Sequence, residues 1–389
     1  MLMVVFGAGA SFDSIPTRPP RRAPRGMLKR QLDRIYDYRL PLAKELFDDR
    51  LLFNQWLAQF QHCQGVLVRL RKACKAGSLE HELEAMREQA QSNPWRHKQL
   101  AAVQFYLQSM LWTCKHELNK DFTTTSTNYK ELLVQIEDSR IQKNEKVCLV
   151  TFNYDTMLED ALPLVGVEIN NIDDYVAYGN YKIIKLHGSV NWAHRVADDI
   201  KDIGRRTWLS VANELVERIA ELNILQEFRI VNWPLGGHLD GSDPPLGEPL
   251  FPALAIPVEN KQQYECPKEQ YEALSKCIPE VDRILLIGWR ATEKRFIQLL
   301  KERLPRKVHI IAANGDSDEG TQSIRRLRDA GIRGRYEMFA GGFSQFVSSG
   351  ALNDFSALEN QKKRVHHAHQ RECLEYQHGL IRQSRTDMI

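Results

Sequence analysis

The sequence predicts an α/β protein: a parallel sheet flanked by helices, with a large helical insertion after the first strand. Three observations carry this reading. Short, almost wholly apolar runs recur at residues 3–7, 147–152 (VCLVTF), 182–188 (KIIKLHG), 283–288 (RILLIG) and 307–313 (KVHIIAA), and strands lacking a polar face belong to a sheet covered on both sides. Helical stretches separate the later runs, the alternation that parallel connections require. Residues 27–143 instead show helical spacing of apolar positions, as in Leu51, Trp56, Phe60 and again Leu100, Val103, Phe105, Leu107, Leu111.

Taken in order, the first run collides with Gly7-Ala8-Gly9-Ala10-Ser11. A tight strand-to-helix turn accounts for such glycines, and so does an anion such as a dinucleotide pyrophosphate held against bare amides. The second run ends in Thr151-Phe152-Asn153-Tyr154-Asp155, the third in Lys185-Leu186-His187-Gly188-Ser189, the fourth in Ile287-Gly288-Trp289 and the fifth in Ala313-Asn314-Gly315-Asp316. Singly, each has a plain structural reading: an Asn caps a helix, an Asp favours its dipole, a His fills a core. Five in order at the carboxyl ends of strands, where open α/β sheets bind ligands, mark a candidate site. Residues 233–257 (WPLGGHLDGSDPPLGEPLFPALAIP) carry too much Pro and Gly for a regular element and read as a lid or binding loop. The charged tail holds His366, His367 and His369 without an acidic or cysteine partner nearby, and reads as a solvated helix.

The 389 residues, 43% apolar and 26% charged, exceed a typical single domain. The expected division is a catalytic domain of residues 1–26 and 144–350, a helical insertion of 27–143 and a C-terminal helical tail of 351–389. A formal charge of +3 does not support nucleic-acid binding, and the basic stretches Arg18–Arg30 and Lys362–Arg385 read as solvated surface. Seven cysteines at 63, 74, 114, 148, 266, 277 and 373 form neither a disulfide framework nor a CxxC zinc knuckle, so reduced thiols are expected. No basic n-region precedes the first apolar run, and none of the runs approaches the roughly 18 residues of a membrane span. A cytoplasmic protein without membrane contact is expected.

A dehydrogenase fingerprint fails here. Its third glycine would fall at Phe12, and the ribose-binding acid expected about 20 residues on would fall in the helical block. GAGAS after one strand, T-x-N-x-D after another and L-H-G after a third instead resemble the sirtuin family. The F-N-Y-D and K-L-H-G-S wording is most similar to its bacterial, NAD-hydrolysing branch associated with anti-phage defence. The resemblance covers roughly residues 1–20 and 145–350.

The resemblance implies a sirtuin-type Rossmann-like sheet with NAD lying across the strand ends as substrate. Its phosphates would rest against Gly7, Ala8, Gly9, Ala10 and Ser11. Asn153 would sit near the nicotinamide ribose, with Asp155 and Gly188 shaping that pocket and His187 as catalytic base. Gly288 and Asn314 would serve the backbone turn and the adenosine side, while Trp289 stands where protein-deacylating sirtuins have a small hydroxyl residue. Those deacylases carry a four-cysteine zinc module that this chain lacks, so the resemblance implies no zinc, water as acceptor, and nicotinamide and ADP-ribose as products. An NAD-dependent deacylase or ADP-ribosyltransferase without zinc, and a non-catalytic NAD-binding assembly subunit, remain alternatives. The relatives further imply a homo-oligomer or a separately encoded partner such as a ring-shaped motor ATPase, with NAD depletion aborting infection. The residue types suit the chemistry. Breaking a nicotinamide–ribose bond passes through an oxocarbenium-like centre, which needs polar groups at the ribose hydroxyls and a base of near-neutral pKa.

Overall fold

The computed structural model describes residues 1–14, 36–122, 127–257, 264–305 and 307–352. The basic stretches at 18–30 and 362–385, the tail histidines, Cys373 and the first nine residues of the insertion lie outside them.

Among the described residues there are nine strands, β1 (Leu2–Phe6), β2 (Val147–Thr151), β3 (Tyr181–Lys185), β4 (Gly188–Val196), β5 (Ile224–Ile230), β6 (Leu250–Leu254), β7 (Arg283–Ile287), β8 (Val308–Asn314) and β9 (Gly334–Ala340). Six form one sheet in the order β3-β2-β1-β7-β8-β9, and every pairing in it is parallel. From β1 the chain builds outward to β2 and β3 on one side, then returns to build β7, β8 and β9 on the other. The order therefore reverses between β1 and β7, which opens a crevice at their carboxyl ends.

Every residue of β1, β2 and β7 is buried, and the two-residue period of a strand divides each between two cores. Leu2, Val4 and Phe6 face one core, and Met3 and Val5 the other. The second core is closed by helices carrying Leu274, Phe296, Leu299 and Leu327. The first is closed by the insertion, whose Phe47, Trp56, Leu107 and Tyr129 join the same cluster as Val4 and Phe6. The insertion thus has no core of its own.

After α1 (Ala8–Asp13), the described part of the insertion comprises α2 (Leu51–Gln59), α3 (Gln61–Gln64), α4 (Leu67–Ala76), α5 (Leu79–Ala90), α6 (Pro94–Phe122) and α7 (Asn128–Lys143), with a short 3₁₀ turn at Ala43–Glu45. Helix α6 starts on a proline, whose missing N–H costs nothing in a first turn. Its Ala101, Ala102, Val103, Phe105, Tyr106 and Leu107 are all buried, as in a central helix packed all round. Helix α7 is capped by Thr127, whose side chain accepts from Lys130 N, and ends at Asn144 in the left-handed region (φ 49°).

The structure differs from the sequence reading at residues 233–257. They contain β6, which joins β4 and β5 in a three-stranded antiparallel sheet of order β5-β4-β6. Pro252 is tolerated because β6 is an edge strand there. Earlier in the stretch, Leu235 N donates to Gln108 Oε1 (2.9 Å) and Gly236 N to Ser109 Oγ (3.2 Å), so it is pinned to α6 rather than poised as a lid.

At the β1/β7 crevice two backbones touch. A Cβ on Gly7 would lie 2.5 Å from Gly288 O, one on Gly9 2.8 Å from Gly288 Cα, and one on Gly288 2.4 Å from Ala10 N. Gly288 also has φ +57°, disfavoured for any L side chain. Gly77, at the end of α4, has a similar φ of +68° with nothing within 4 Å of a would-be Cβ. Gly77→Ala should therefore cost only the left-handed penalty of about 1–2 kcal/mol in urea unfolding. Gly288→Ala should cost clearly more or fail to yield folded protein. Equal losses would show that the contact does not constrain the fold.

Candidate active site

The carboxyl ends of β1, β2, β3, β7 and β8 open onto one cavity of about 1220 Å³. Each contributes at least one of the residues singled out from the sequence: Gly7, Asn153, His187, Gly288 and Asn314, in that strand order. Ala8, Gly9, Ser11 and Asp155 line it too. Ala10 is fully buried beneath the rim. Gly188 turns the chain from β3 into β4 (φ +74°), with a Cβ position only 2.1 Å from Ala253 O, so its role is in this turn and it is not among the lining residues. The glycines after β1 likewise serve the fold first: Gly7 N donates to Ile287 O (2.9 Å), Gly9 N to Gly288 O (3.2 Å) and Ala10 N to Gly7 O (2.9 Å).

Asn153 is held from several directions. Its Nδ2 lies 2.9 Å from Gly7 O, 3.0 Å from Ser11 Oγ and 3.0 Å from the Tyr129 hydroxyl, and its backbone N donates to Thr151 Oγ1 (3.0 Å). Oδ1 is buried and has no protein partner. Asp155, two residues on, accepts from Met157 N (3.0 Å). Burial pushes its carboxyl above the usual carboxylate range, against the opposing pull of Lys185 and of hydrogen bonds from Ser11 and Met157. Lys185 is completely buried at the end of β3. Its Nζ donates to Asp155 O (2.6 Å) and pairs with Glu159 (2.8 Å), which in turn accepts from the Tyr175 hydroxyl (2.9 Å).

His187 is buried against aromatic rings, 4.9 Å from Phe152 and 6.1 Å from Tyr154 between centroids. Its backbone oxygen accepts from Ala255 N (2.9 Å). Trp289 lies stacked on Phe152 at 5.5 Å and 6°, its indole N–H donating to Glu293, so an aromatic layer floors this part of the cavity. Asn314, at the end of β8, also buries an unpartnered Oδ1. The insertion supplies the facing wall through Leu40, Pro41, Leu46 and Glu80, and Glu80 pairs with Arg290 of the loop after β7 (3.1 Å). Arg290 and Glu80 thus tie the insertion to the rim.

Tyr129, Glu159 and the Glu80–Arg290 pair are absent from the sequence reading, and Lys185 is quoted there as part of a strand end without a role. Lys185 carried a usable signal, a charge closing an otherwise apolar run. Tyr129 carried none, since its helix period shows burial and not partners. Among the described residues, no group of three or more His, Cys, Asp or Glu is placed to hold a metal ion, and no helix is long and apolar enough to cross a membrane.

No protein-family model matches the chain, and no curated protein matches it. Among solved structures, a mutant Sir2 homologue in complex with 2′-O-acetyl ADP ribose aligns at 14% identity with a TM-score of 0.34, covering 85% of this chain and 91% of that chain.

The Asp155 environment fixes a pH dependence. Its folded-state pKa lies above the unfolded value of about 3.9, so ionisation opposes folding, and the penalty grows as pH rises from about 4. Asp155→Asn removes that penalty while keeping an oxygen for Met157 N. The stability of this variant relative to the parent, read from urea midpoints, should therefore increase between about pH 4 and 7. The opposite trend would show that Lys185 and the hydrogen bonds outweigh burial.

Proposed function

We propose that the protein is a sirtuin-like NAD glycohydrolase that cleaves NAD to nicotinamide and ADP-ribose, acting in the cytoplasm as the NAD-depleting effector of a bacterial anti-phage defence. One observation carries this reading: the residues that resemble sirtuin motifs, far apart in sequence, meet at a single cavity at the topological switch of a parallel sheet. Its volume of about 1220 Å³ admits a dinucleotide. The unpartnered carbonyl oxygens of Asn153 and Asn314 are acceptors suited to ribose hydroxyls. Lys44 and Lys294 line the same cavity and bring positive charge for a diphosphate.

In this reading the bond between C1′ of the ribose and the nicotinamide nitrogen breaks, and nicotinamide leaves as a neutral molecule with the bonding electron pair. Positive charge develops on the ribosyl centre, flanked by the dipole of the Asn153 carbonyl. Water adds at C1′, and His187 takes its proton, so NAD⁺ and water give nicotinamide, ADP-ribose and H⁺. The aromatic floor of Phe152 and Trp289 excludes bulk water from around the leaving ring. Residues 264–266 and 187 lie next to each other through the His187–Glu265 bridge, which anchors the segment carrying the base.

His187→Ala is the cleaner test, because Asn153 also holds the rim together and its removal leaves buried partners unsatisfied at about 1–3 kcal/mol. With NAD alone, His187→Ala should reduce nicotinamide release by about 10²–10⁴, the worth of a positioned base, with the melting temperature lowered by only a few degrees through lost packing. Full activity in this variant removes His187 from the mechanism. Cleavage that requires an added acylated peptide, with the peptide deacylated, would replace hydrolysis by deacylation.

The same reading includes self-association or docking of a separately encoded partner such as a ring-shaped motor ATPase. It is supported by Leu51, Val68, Trp95, Val134 and Ile141, large apolar side chains exposed on the insertion. Light scattering should show an oligomer. A strict monomer at micromolar concentration, with no co-purifying partner, counts against it.

A further inference from the structure

We propose that Tyr129, contributed by the helical insertion, is a positioning residue that holds the Asn153 amide in the orientation dictated by Gly7 O and thereby keeps Oδ1 as the atom it offers to a ligand. The hydrogen-bond geometry admits a single consistent assignment. Gly7 O can only accept, so the Asn153 atom 2.9 Å from it is the NH₂ nitrogen, and the opposite amide orientation would set two carbonyl oxygens against each other. One amide hydrogen goes to Gly7 O. The other reaches the Tyr129 hydroxyl and Ser11 Oγ, both 3.0 Å away.

Those two oxygens are 2.9 Å apart and share one hydrogen between them. Ser11 also lies near enough to Asp155 to pull the pKa of its carboxyl downwards against burial. If the Ser11 proton points to Asp155, the Tyr129 proton points to Ser11 Oγ, and the tyrosine oxygen is left to accept from Asn153. Every donor in the chain Asn153, Tyr129, Ser11, Asp155 is then used once. The whole set is dry: Asn153, Ser11 and Asp155 are 6%, 2% and 7% exposed and Tyr129 1%. In such surroundings a broken link is costly, so the links hold each other in one direction.

What is left over is Asn153 Oδ1, the one polar atom of that side chain with no protein partner. The site therefore presents an acceptor there and is selective for a group that donates, a hydroxyl or a water, over an anionic or purely accepting group. The tyrosine ring is held independently of its hydroxyl, 5.0 Å from Phe6 and 5.5 Å from Phe343, so Tyr129→Phe removes the hydrogen bonds and leaves the packing in place. The catalytic consequence rests on the NAD-hydrolase reading; the orientation of the amide does not.

The experiment uses full-length protein labelled with ¹⁵N at asparagine, with the Asn153 side-chain signal assigned by its disappearance in Asn153→Ala. In Tyr129→Phe, exchange of the Asn153 NH₂ hydrogens with solvent should quicken about tenfold, the factor that one hydrogen bond supports. In parallel, kcat for NAD cleavage should fall about 10–100-fold through misplacement of the amide while KM changes little and the melting temperature falls by only a few degrees, the cost of the broken links. Unchanged exchange overturns the proposal whether or not the protein cleaves NAD. Quickened exchange with unchanged kcat in an active enzyme overturns the catalytic part. Absence of NAD cleavage by the parent protein overturns the hydrolase reading alone, and the exchange result still decides the role of Tyr129.

Discussion

Where the loop leaving β1 meets the loop leaving β7, Gly7 and Gly9 lie directly on Gly288 with no side chain between them, and the rest of the rim is placed from that contact. The approach lets Gly9 N reach Gly288 O and Gly7 N reach Ile287 O, which satisfies two amides that a strand ending here would otherwise leave bare. It also aims Gly7 O at β2, where Asn153 Nδ2 takes it up. From Asn153 the same chain of contacts runs to Ser11 and to Tyr129. The strand ends are thus coupled through backbone and amide groups, whose geometry tolerates less adjustment than a packed apolar cluster.

This contact changes the meaning of the GAGAS motif. A glycine-rich strand end invites the reading that glycine makes room for a ligand. Here the room is used by another part of the chain, and three of the amides in the motif already donate to backbone oxygens. What remains for a ligand lies in the side chains around it, chiefly amide oxygens and lysine ammonium groups, with the exposed Ala8 at the turn.

The central strands were legible because their physics is simple. A strand buried on both faces is apolar along most of its length, and β1, β2, β7 and β8 announce themselves in that way, their few polar residues, such as Arg283 paired with Glu145, Thr151 and Asn314, sitting at the strand ends or held by partners. Their ends were legible too, since Asn153, His187 and Asn314 are polar residues placed just where such runs stop. Strand β3 was read as well, from the run at 182–188, whereas strands β5, β6 and β9 were hidden for equally physical reasons. Strands β5 and β9 are partly exposed edges whose burial alternates or lapses, and β6 carries a proline inside a stretch that reads as loop. Tyr129 was invisible because one buried tyrosine in a helix looks like any other. Its importance comes from residues 118 and 24 positions away in the chain, which only the fold brings within hydrogen-bond distance.

The insertion buries its apolar side chains against Leu2, Val4 and Phe6, the residues that form one face of the sheet. It is therefore half of a core and not an accessory mounted on a finished one. Such a segment cannot be excised, exchanged between homologues or expressed alone as an independent module, because either half would be left with an uncovered apolar face in water. Over evolutionary time its inner helices must change in step with the strands they cover, as any two layers of one domain do. Only the outward surface of the block is free to diversify, and it can do so without disturbing the rim that the inner face supports.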